Sequence, residues 1–251
     1  MPLDQLLVLL PAFFVIAALY ASVGHAGASG YLAVMALLAT APETMRPTAL
    51  ALNILVAAFT FYRFAGAGYF SWRALWPFLL GSVPLAALGG SMRLTTGIYY
   101  VLAGVALALS SGVLAWRAWM RPPTENPHDK AIIPILPAIG CGAAIGLLSG
   151  LTGTGGGIFL SPIVLLTGWA GPRHAGGITA PFILANSAVA LAAGAATWAA
   201  LPAQLPWLAL AVMGGALAGS WLGLKRLSTR WLLGLMALVL VIAAAKLILS
   251  A

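Results

Sequence analysis

Two glycine-rich runs contain the residues of this chain whose types and spacing are best suited to chemistry. The first run is SVGHAGASGYLAVM, residues 22–35, and the second is SGLTGTGGGIFLSP, residues 149–162. Glycine costs a helix interior about 1 kcal/mol relative to alanine, so each run predicts a break in the backbone followed by a short helix. The first N–H groups of a helix lack partners within it and attract negative charge. The two runs therefore predict an anion site built from backbone amides, with the hydroxyl groups of Ser29, Thr152 and Thr154 as further donors.

The predicted site draws on both runs and on two amide side chains. Asn53 and Asn186 lie about two turns inside the helices that follow, where they either cap the opened loops or touch the substrate. The same glycines would also suit close helix packing, which is the alternative explanation. The predicted substrate-binding residues are Gly24, His25, Gly27, Ser29, Gly30, Asn53, Thr152, Gly153, Thr154, Gly155, Gly156, Gly157 and Asn186.

Each of three basic side chains near this site has more than one possible role. His25 lies within the first glycine run and either carries a coupling proton near neutral pH, donates to an oxyanion, or serves as a structural donor. Arg46 and Arg173 stand just before the third and eighth hydrophobic segments. Each would draw anions into a vestibule on its own face of the membrane, or would extend to lipid headgroups. Their place at segment boundaries favours the headgroups.

Acidic residues are missing from the interiors of the hydrophobic segments. Asp4, Glu43, Glu125 and Asp129 all lie at a terminus or in connections. Metal-cation sites and proton pumps commonly use carboxylates, so an anionic or neutral solute is favoured and no metal site or cofactor is expected. The chain also lacks a catalytic Ser/His/Asp set and a phosphate loop followed by lysine, so we do not expect an enzyme.

Composition identifies the elements that must position these residues. The chain has 251 residues, of which 62% are hydrophobic and 6% are charged. Soluble proteins carry about 25% charged residues, so this is an integral membrane protein, and its spanning elements are expected to be helices. The net charge of +8 is spread singly over segment ends, which indicates membrane topology rather than nucleic-acid binding. Most Trp and Tyr residues are predicted to form belts at the membrane interface.

Charges, glycines and prolines divide the chain into ten hydrophobic segments. The second and seventh are too short to cross a core of about 30 Å as straight helices, so they are predicted to be short or re-entrant. The prediction is about eight full spans and two short ones, all α-helical, and whether the short ones cross stays open. The segments are 3–23, 31–40, 47–65, 73–91, 97–118, 131–149, 157–167, 175–199, 206–224 and 230–250.

The segments form two similar halves within one membrane domain. The first repeat covers residues 1–118, a hydrophilic cytoplasmic linker covers 119–130, and the second repeat covers 131–251. Five segments per half is an odd number, so the second half is inverted relative to the first. The distribution of basic residues places both termini on the outer side of the membrane. The corresponding pairs are Gly24 and Gly150, Gly27 and Gly153, Gly30 and Gly156, Arg46 and Arg173, and Asn53 and Asn186.

The run GLLSGLTGTGGGIFLSPIVLL, residues 146–166, resembles the signature of the sulfite exporter TauE/SafE family. The two-half layout and the turns at Phe70 and Leu205 are similar too. The resemblance implies a polytopic inner-membrane carrier of sulfite, sulfonates or related organic anions. It also implies that the glycine motif maps onto Gly150, Gly153, Gly155, Gly156, Gly157 and Pro162. The first half departs from the pattern, because Ala28 and Ser29 interrupt a thinner glycine run and Leu37 stands where proline is expected.

The sequence thus predicts a secondary carrier of a small sulfur-containing anion, in which two helix N-termini bind the anion while the halves rock around it. An anion channel, a carrier of small organic carboxylates and a membrane subunit without a solute of its own remain alternatives. The expected partners are the anion and the lipid bilayer, with no nucleic acid. A homodimer, the direction of transport and the coupling ion are left open.

Overall fold

A computed structural model of the chain describes residues 3–22, 24–119, 133–194, 200–223 and 229–251. All regular structure within these ranges is helical. The predicted linker 119–130 lies outside them except for Trp119, as do residues 195–199 of the predicted eighth segment. The helices are α1 (Leu3–Ser22), α2 (Ala28–Leu37), α3 (Pro42–Gly66), α4 (Trp72–Ser91), α5 (Thr96–Trp119), α6 (Ile135–Thr152), α7 (Gly157–Leu166), α8 (Pro172–Ala193), α9 (Leu205–Gly223) and α10 (Thr229–Leu249).

Six of these helices are long and apolar enough to cross a membrane, counting only the described residues: α1, α3, α4, α5, α6 and α8. The helices α2 and α7 have ten residues each. They match the two segments that the sequence predicts to be short. The described part of the chain is therefore an all-helical, polytopic membrane protein.

Two long helices begin earlier than the sequence predicts. The helix α3 starts at Pro42 rather than at residue 47, and α8 starts at Pro172 rather than at residue 175. Proline suits the first helical position, because its missing N–H would have no partner there in any case. Arg46 and Arg173 thus lie inside helices, and their predicted place just before the segments is wrong. Glu43 likewise lies in the first turn of α3 rather than in a connection.

The helices that flank the glycine runs also have shifted bounds. The helix α2 starts at Ala28, three residues before the predicted 31, because Gly27 takes a left-handed conformation with φ 108° and the amide of Ala28 finds a side-chain acceptor. The helix α6 continues to Thr152, beyond the predicted 149. Gly150 is therefore part of a helix, where it packs against the carbonyl of Ala86 in α4. For this glycine the alternative explanation, close packing, is correct.

Helices from the two halves of the chain pack against each other in pairs. The helix α1 lies along α9, α4 along α6, α5 along α10, and α3 against α8. Glycines allow the closest of these approaches: a Cβ at Gly146 of α6 would overlap the carbonyl of Ser82 in α4, and one at Gly219 of α9 would overlap that of Ala18 in α1. Small residues bring membrane helices together in this way.

Candidate substrate site at two glycine breaks

The second glycine run opens the backbone between α6 and α7. Gly153, Gly155 and Gly156 have φ values of 83°, 74° and 76°, in the left-handed region that glycine adopts without steric cost. Gly156 is the residue before α7, which begins at Gly157. The break that the sequence predicts here is present, and all of these residues are buried.

The first glycine run opens the backbone in the same way between α1 and α2. Gly24 has φ 84° and Gly27 has φ 108°, and the three residues from His25 to Gly27 belong to no helix. Gly30 lies within α2, where a Cβ would meet the side chain of Ile16 in α1. The described part of the chain thus has two such breaks, each followed by a buried helix start.

Asn53 of α3 joins the two breaks. Its Oδ1 accepts a hydrogen bond from the backbone N–H of Ala28 at 3.0 Å, and its Nδ2 donates to Ser187 Oγ of α8 at 3.3 Å. Gly155 approaches so closely that a Cβ there would overlap Asn53 Nδ2. Asn53 therefore caps the start of α2 and contacts the second break at the same time. The cap that the sequence offered as one role is present, and contact of Asn53 with a substrate stays a prediction.

Asn186 does not repeat the role of Asn53, although the two correspond in sequence. Its Nδ2 donates to the carbonyl of Phe182 at 2.8 Å, within its own helix. Its Oδ1 is buried and has no hydrogen-bond partner among the residues that the structure describes. Asn53 is therefore the amide side chain that contacts both breaks, whereas the Oδ1 of Asn186 is an acceptor within α8 that no described residue uses.

Backbone donors at both helix starts are left without acceptors. Within the described ranges, no hydrogen bond is made by the N–H groups of Ser29 and Gly30 in α2, nor by those of Gly157 and Ile158 in α7. All four residues are buried. Unpaired N–H groups at a helix start carry partial positive charge, so both starts suit a negatively charged ligand.

The hydroxyl groups predicted as further donors are partly occupied. Thr152 Oγ1 donates to the carbonyl of Leu148 at 2.7 Å, and a hydroxyl has a single proton. The Thr152 hydroxyl proton is thus used within its own helix in this structure, and contact of Thr152 with a ligand stays a prediction. Thr154 Oγ1 lies 3.1 Å from Thr152 Oγ1, and Ser29 Oγ is 2.7 Å from the hydroxyl of Tyr20.

His25 lies at the first break, with 3% of its surface exposed. Its backbone N–H donates to the carbonyl of Tyr20 at 2.9 Å, and its ring stands edge-on to the Tyr20 ring with centroids 6.4 Å apart. His25 thus lies at the first break, within the predicted site. Its roles in substrate binding and in proton coupling stay predictions.

The two corresponding arginines have different surroundings. Arg46 is 8% exposed and donates to the carbonyls of Met92, Gly89 and Gly90 at 3.1, 2.7 and 2.6 Å, at the C-terminal end of α4. It does not extend to headgroups, because these carbonyls hold it inside the protein. Arg173 is exposed, and its guanidinium donates to the Tyr69 hydroxyl at 2.9 Å and lies 5.6 Å from the ring centroid.

Three residues near the breaks were missed by sequence reasoning. The hydroxyl of Tyr20 lies 2.7 Å from Ser29 Oγ. The hydroxyl of Tyr99 in α5 donates to the carbonyl of Thr152 at 3.2 Å, and Ser187 Oγ accepts a hydrogen bond from Asn53 Nδ2. Tyrosines were predicted as interface belts, and a serine in an apolar helix is common. Their positions depend on contacts between separate helices, for which the sequence contains no local signal.

Comparison of the sequence with known proteins identifies a family. The family described as Sulfite exporter TauE/SafE matches residues 9–247. The "Probable membrane transporter protein y4hK" of Sinorhizobium fredii (strain NBRC 101917 / NGR234) is 40% identical over 237 residues, which cover 94% of this chain and 96% of that protein. No solved structure matches the chain. Because the family match spans nearly all of its residues, this chain belongs to the sulfite exporter TauE/SafE family and is a multi-pass membrane transporter.

Proposed function

We propose that this protein is a secondary transporter that binds a small anion, sulfite or an organosulfonate, between its two glycine breaks. The observation that carries the proposal is the pair of buried helix starts with free N–H groups, of which Asn53 caps the first at Ala28 and approaches the second break at Gly155. An unpaired N–H inside a membrane protein costs several kcal/mol, and the oxygens of an anion would supply the missing acceptors. The family's description as sulfite exporters supports a sulfur oxyanion as substrate.

We further propose that the two halves of the chain move relative to each other in an alternating-access mechanism. The helix α6 is the counterpart of α1, and α9 is the counterpart of α4. The contacts of α1 with α9 and of α6 with α4 are therefore reciprocal, as expected for inverted repeats related by a two-fold axis. Rocking of these paired units would expose the breaks to one side of the membrane and then to the other. We place the protein in the inner membrane, as its family resemblance implies, with both termini outside, as the distribution of its basic residues indicates.

Ligand-induced thermal stabilisation of the purified protein tests the substrate class. Sulfite, taurine, sulfoacetate and chloride are compared at equal ionic strength, with a series of cations as their chloride salts. At a ligand concentration of 100 times Kd the expected stabilisation is about 2.7 kcal/mol. A shift with sulfur oxyanions that exceeds the shift with chloride supports the proposal. A shift with a cation and with none of the anions would contradict it.

Flux into liposomes separates a carrier from a channel. A carrier saturates with substrate concentration, and its turnover is limited by the conformational change. The expected result is saturable uptake of the sulfonate without resolvable single-channel current in planar bilayers. Unitary currents that rise with concentration without saturating would contradict a carrier mechanism and indicate an anion channel.

A further inference from the structure

A cavity of about 730 Å³ opens at the face of the protein where α4 ends and α5 begins. Its wall is formed by the start of α3, the turn from α4 to α5 and the end of α8. Arg46 and Tyr99 line it from inside, and Ser91 and Met92 line it from the turn. The cavity is distinct from the two breaks, although it lies next to one of them.

The inner wall of this cavity is in direct contact with the second break. Gly153 packs on Arg46, so closely that a Cβ there would lie 3.1 Å from Arg46 Cγ and 3.2 Å from the Arg46 carbonyl oxygen. The hydroxyl of Tyr99 donates to the carbonyl of Thr152, the last residue of α6. Two side chains thus separate the cavity from the backbone of Thr152 and Gly153.

Arg46 brings a positive charge to this wall without an acidic partner. Among the described residues it bonds to three carbonyl oxygens, and no carboxylate is paired with it. A guanidinium has five N–H donors, so two are left over. A charge that is mostly removed from water requires compensation, and the partial charge of a helix C-terminus supplies about half of one. Glu43 and Arg93 also line the cavity, but both are exposed and of opposite sign.

We propose that this cavity is an anion access site, in which Arg46 attracts small anions from solution and delivers them to the second break. The inference rests on the proposed function and deepens it, because it names the route by which the anion reaches the second break and the residue that favours negatively charged solutes. The ligand class is a small oxyanion, and a lipid phosphate shares this chemistry. The experiment below separates the two sources.

Thiol labelling measures the electrostatic potential of the cavity without any substrate. Cys141 is the single native cysteine and is replaced by serine. A cysteine is then introduced by Ser91→Cys in the cavity wall, or by Ala203→Cys on the exposed turn before α9 as a control. Each protein reacts with an anionic and with a cationic methanethiosulfonate reagent. The ratio of the two rates is compared between sites, so that the intrinsic reactivities of the reagents cancel.

We expect the anionic-to-cationic rate ratio at position 91 to exceed that at position 203 by about tenfold, from one partly screened unit charge acting on reagents of opposite sign. Arg46→Lys should keep the ratio, and Arg46→Gln should lower it to that of the control. If the Arg46→Gln protein does not fold, the comparison of positions 91 and 203 in the protein with Arg46 intact still tests whether the cavity attracts anions. Equal ratios at the two positions would overturn the proposal.

Repeating the labelling in different lipid environments distinguishes a route for free anions from a site for lipid headgroups. A raised ratio in detergent micelles and also in phosphatidylglycerol vesicles identifies an open route for free anions. A raised ratio that disappears in phosphatidylglycerol, and persists in phosphatidylcholine, would make the cavity a headgroup site and overturn the access route. Because no transported substrate is used, this result is independent of whether sulfonates stabilise the protein.

Discussion

Replacing Gly155 with alanine tests whether the second break is packed as the structure has it. Gly155 has φ 74°, and an added Cβ would overlap Asn53 Nδ2 and lie 3.1 Å from both Ile183 Cγ2 and Ser187 Oγ. The methyl group can be accommodated only if Asn53 moves away. Asn53 would then lose its hydrogen bond to the N–H of Ala28, so a change in the second half would uncap a helix in the first.

The cost of Gly155→Ala has two parts. The left-handed conformation costs alanine about 1–2 kcal/mol. Loss of the acceptor leaves the buried N–H of Ala28 unsatisfied, which costs about 1–3 kcal/mol. We therefore expect a loss of about 2–5 kcal/mol in the free energy of unfolding, measured by denaturation in detergent. The matched control is Gly140→Ala in α6, where no atom lies within 4 Å of the added Cβ, and it should cause no loss.

A double-mutant cycle with Asn53→Ala measures separately the cost of leaving the N–H of Ala28 without its acceptor. With the Asn53 side chain removed, Gly155→Ala should cost about 1–3 kcal/mol less than it does in the native protein. Additive effects of the two substitutions, or a Gly155→Ala protein as stable as its Gly140→Ala control, would refute the contact between the two breaks.

Three further predictions concern side chains around the breaks. Ser29→Ala should lower the free energy of unfolding by about 1–3 kcal/mol, because the buried hydroxyl of Tyr20 loses its partner at 2.7 Å; a loss that persists in a Tyr20→Phe background would contradict this. His25→Gln should make sulfonate flux into liposomes insensitive to an imposed pH gradient, and unchanged sensitivity would remove His25 from proton coupling. Arg173→Gln should lower the free energy of unfolding by less than about 1 kcal/mol, because the contact of Arg173 with Tyr69 is exposed. A measured loss of more than about 2 kcal/mol would contradict this prediction.

The glycine runs show how far local sequence reasoning extends. Both breaks were predicted from the low helix preference of glycine, and both are present, because left-handed conformations are a property of the residue itself. The exact ends of the helices were less predictable. Pro42 and Pro172 were read as outside their helices, whereas proline is tolerated as the first helical residue.

The roles of individual polar side chains required the tertiary structure. Thr152 was predicted as a donor to a ligand, yet its proton is used by a carbonyl one turn earlier. Arg46 was expected at the membrane surface, yet it is held by carbonyls more than 40 residues away in the chain. Neither bond follows from spacing, because each depends on which rotamer and which neighbouring helix the packed protein provides.

The amino-acid sequence alone determined the membrane class, the helical segments and the two breaks, since apolar composition and glycine content act locally along the chain. Only the tertiary structure decided that the breaks meet at Asn53, which bonds to Ser187 across 134 residues, and that Arg46 faces a cavity. The physical reason is that such contacts arise from the packing of helices from opposite halves, where small shifts in register change which side chains touch.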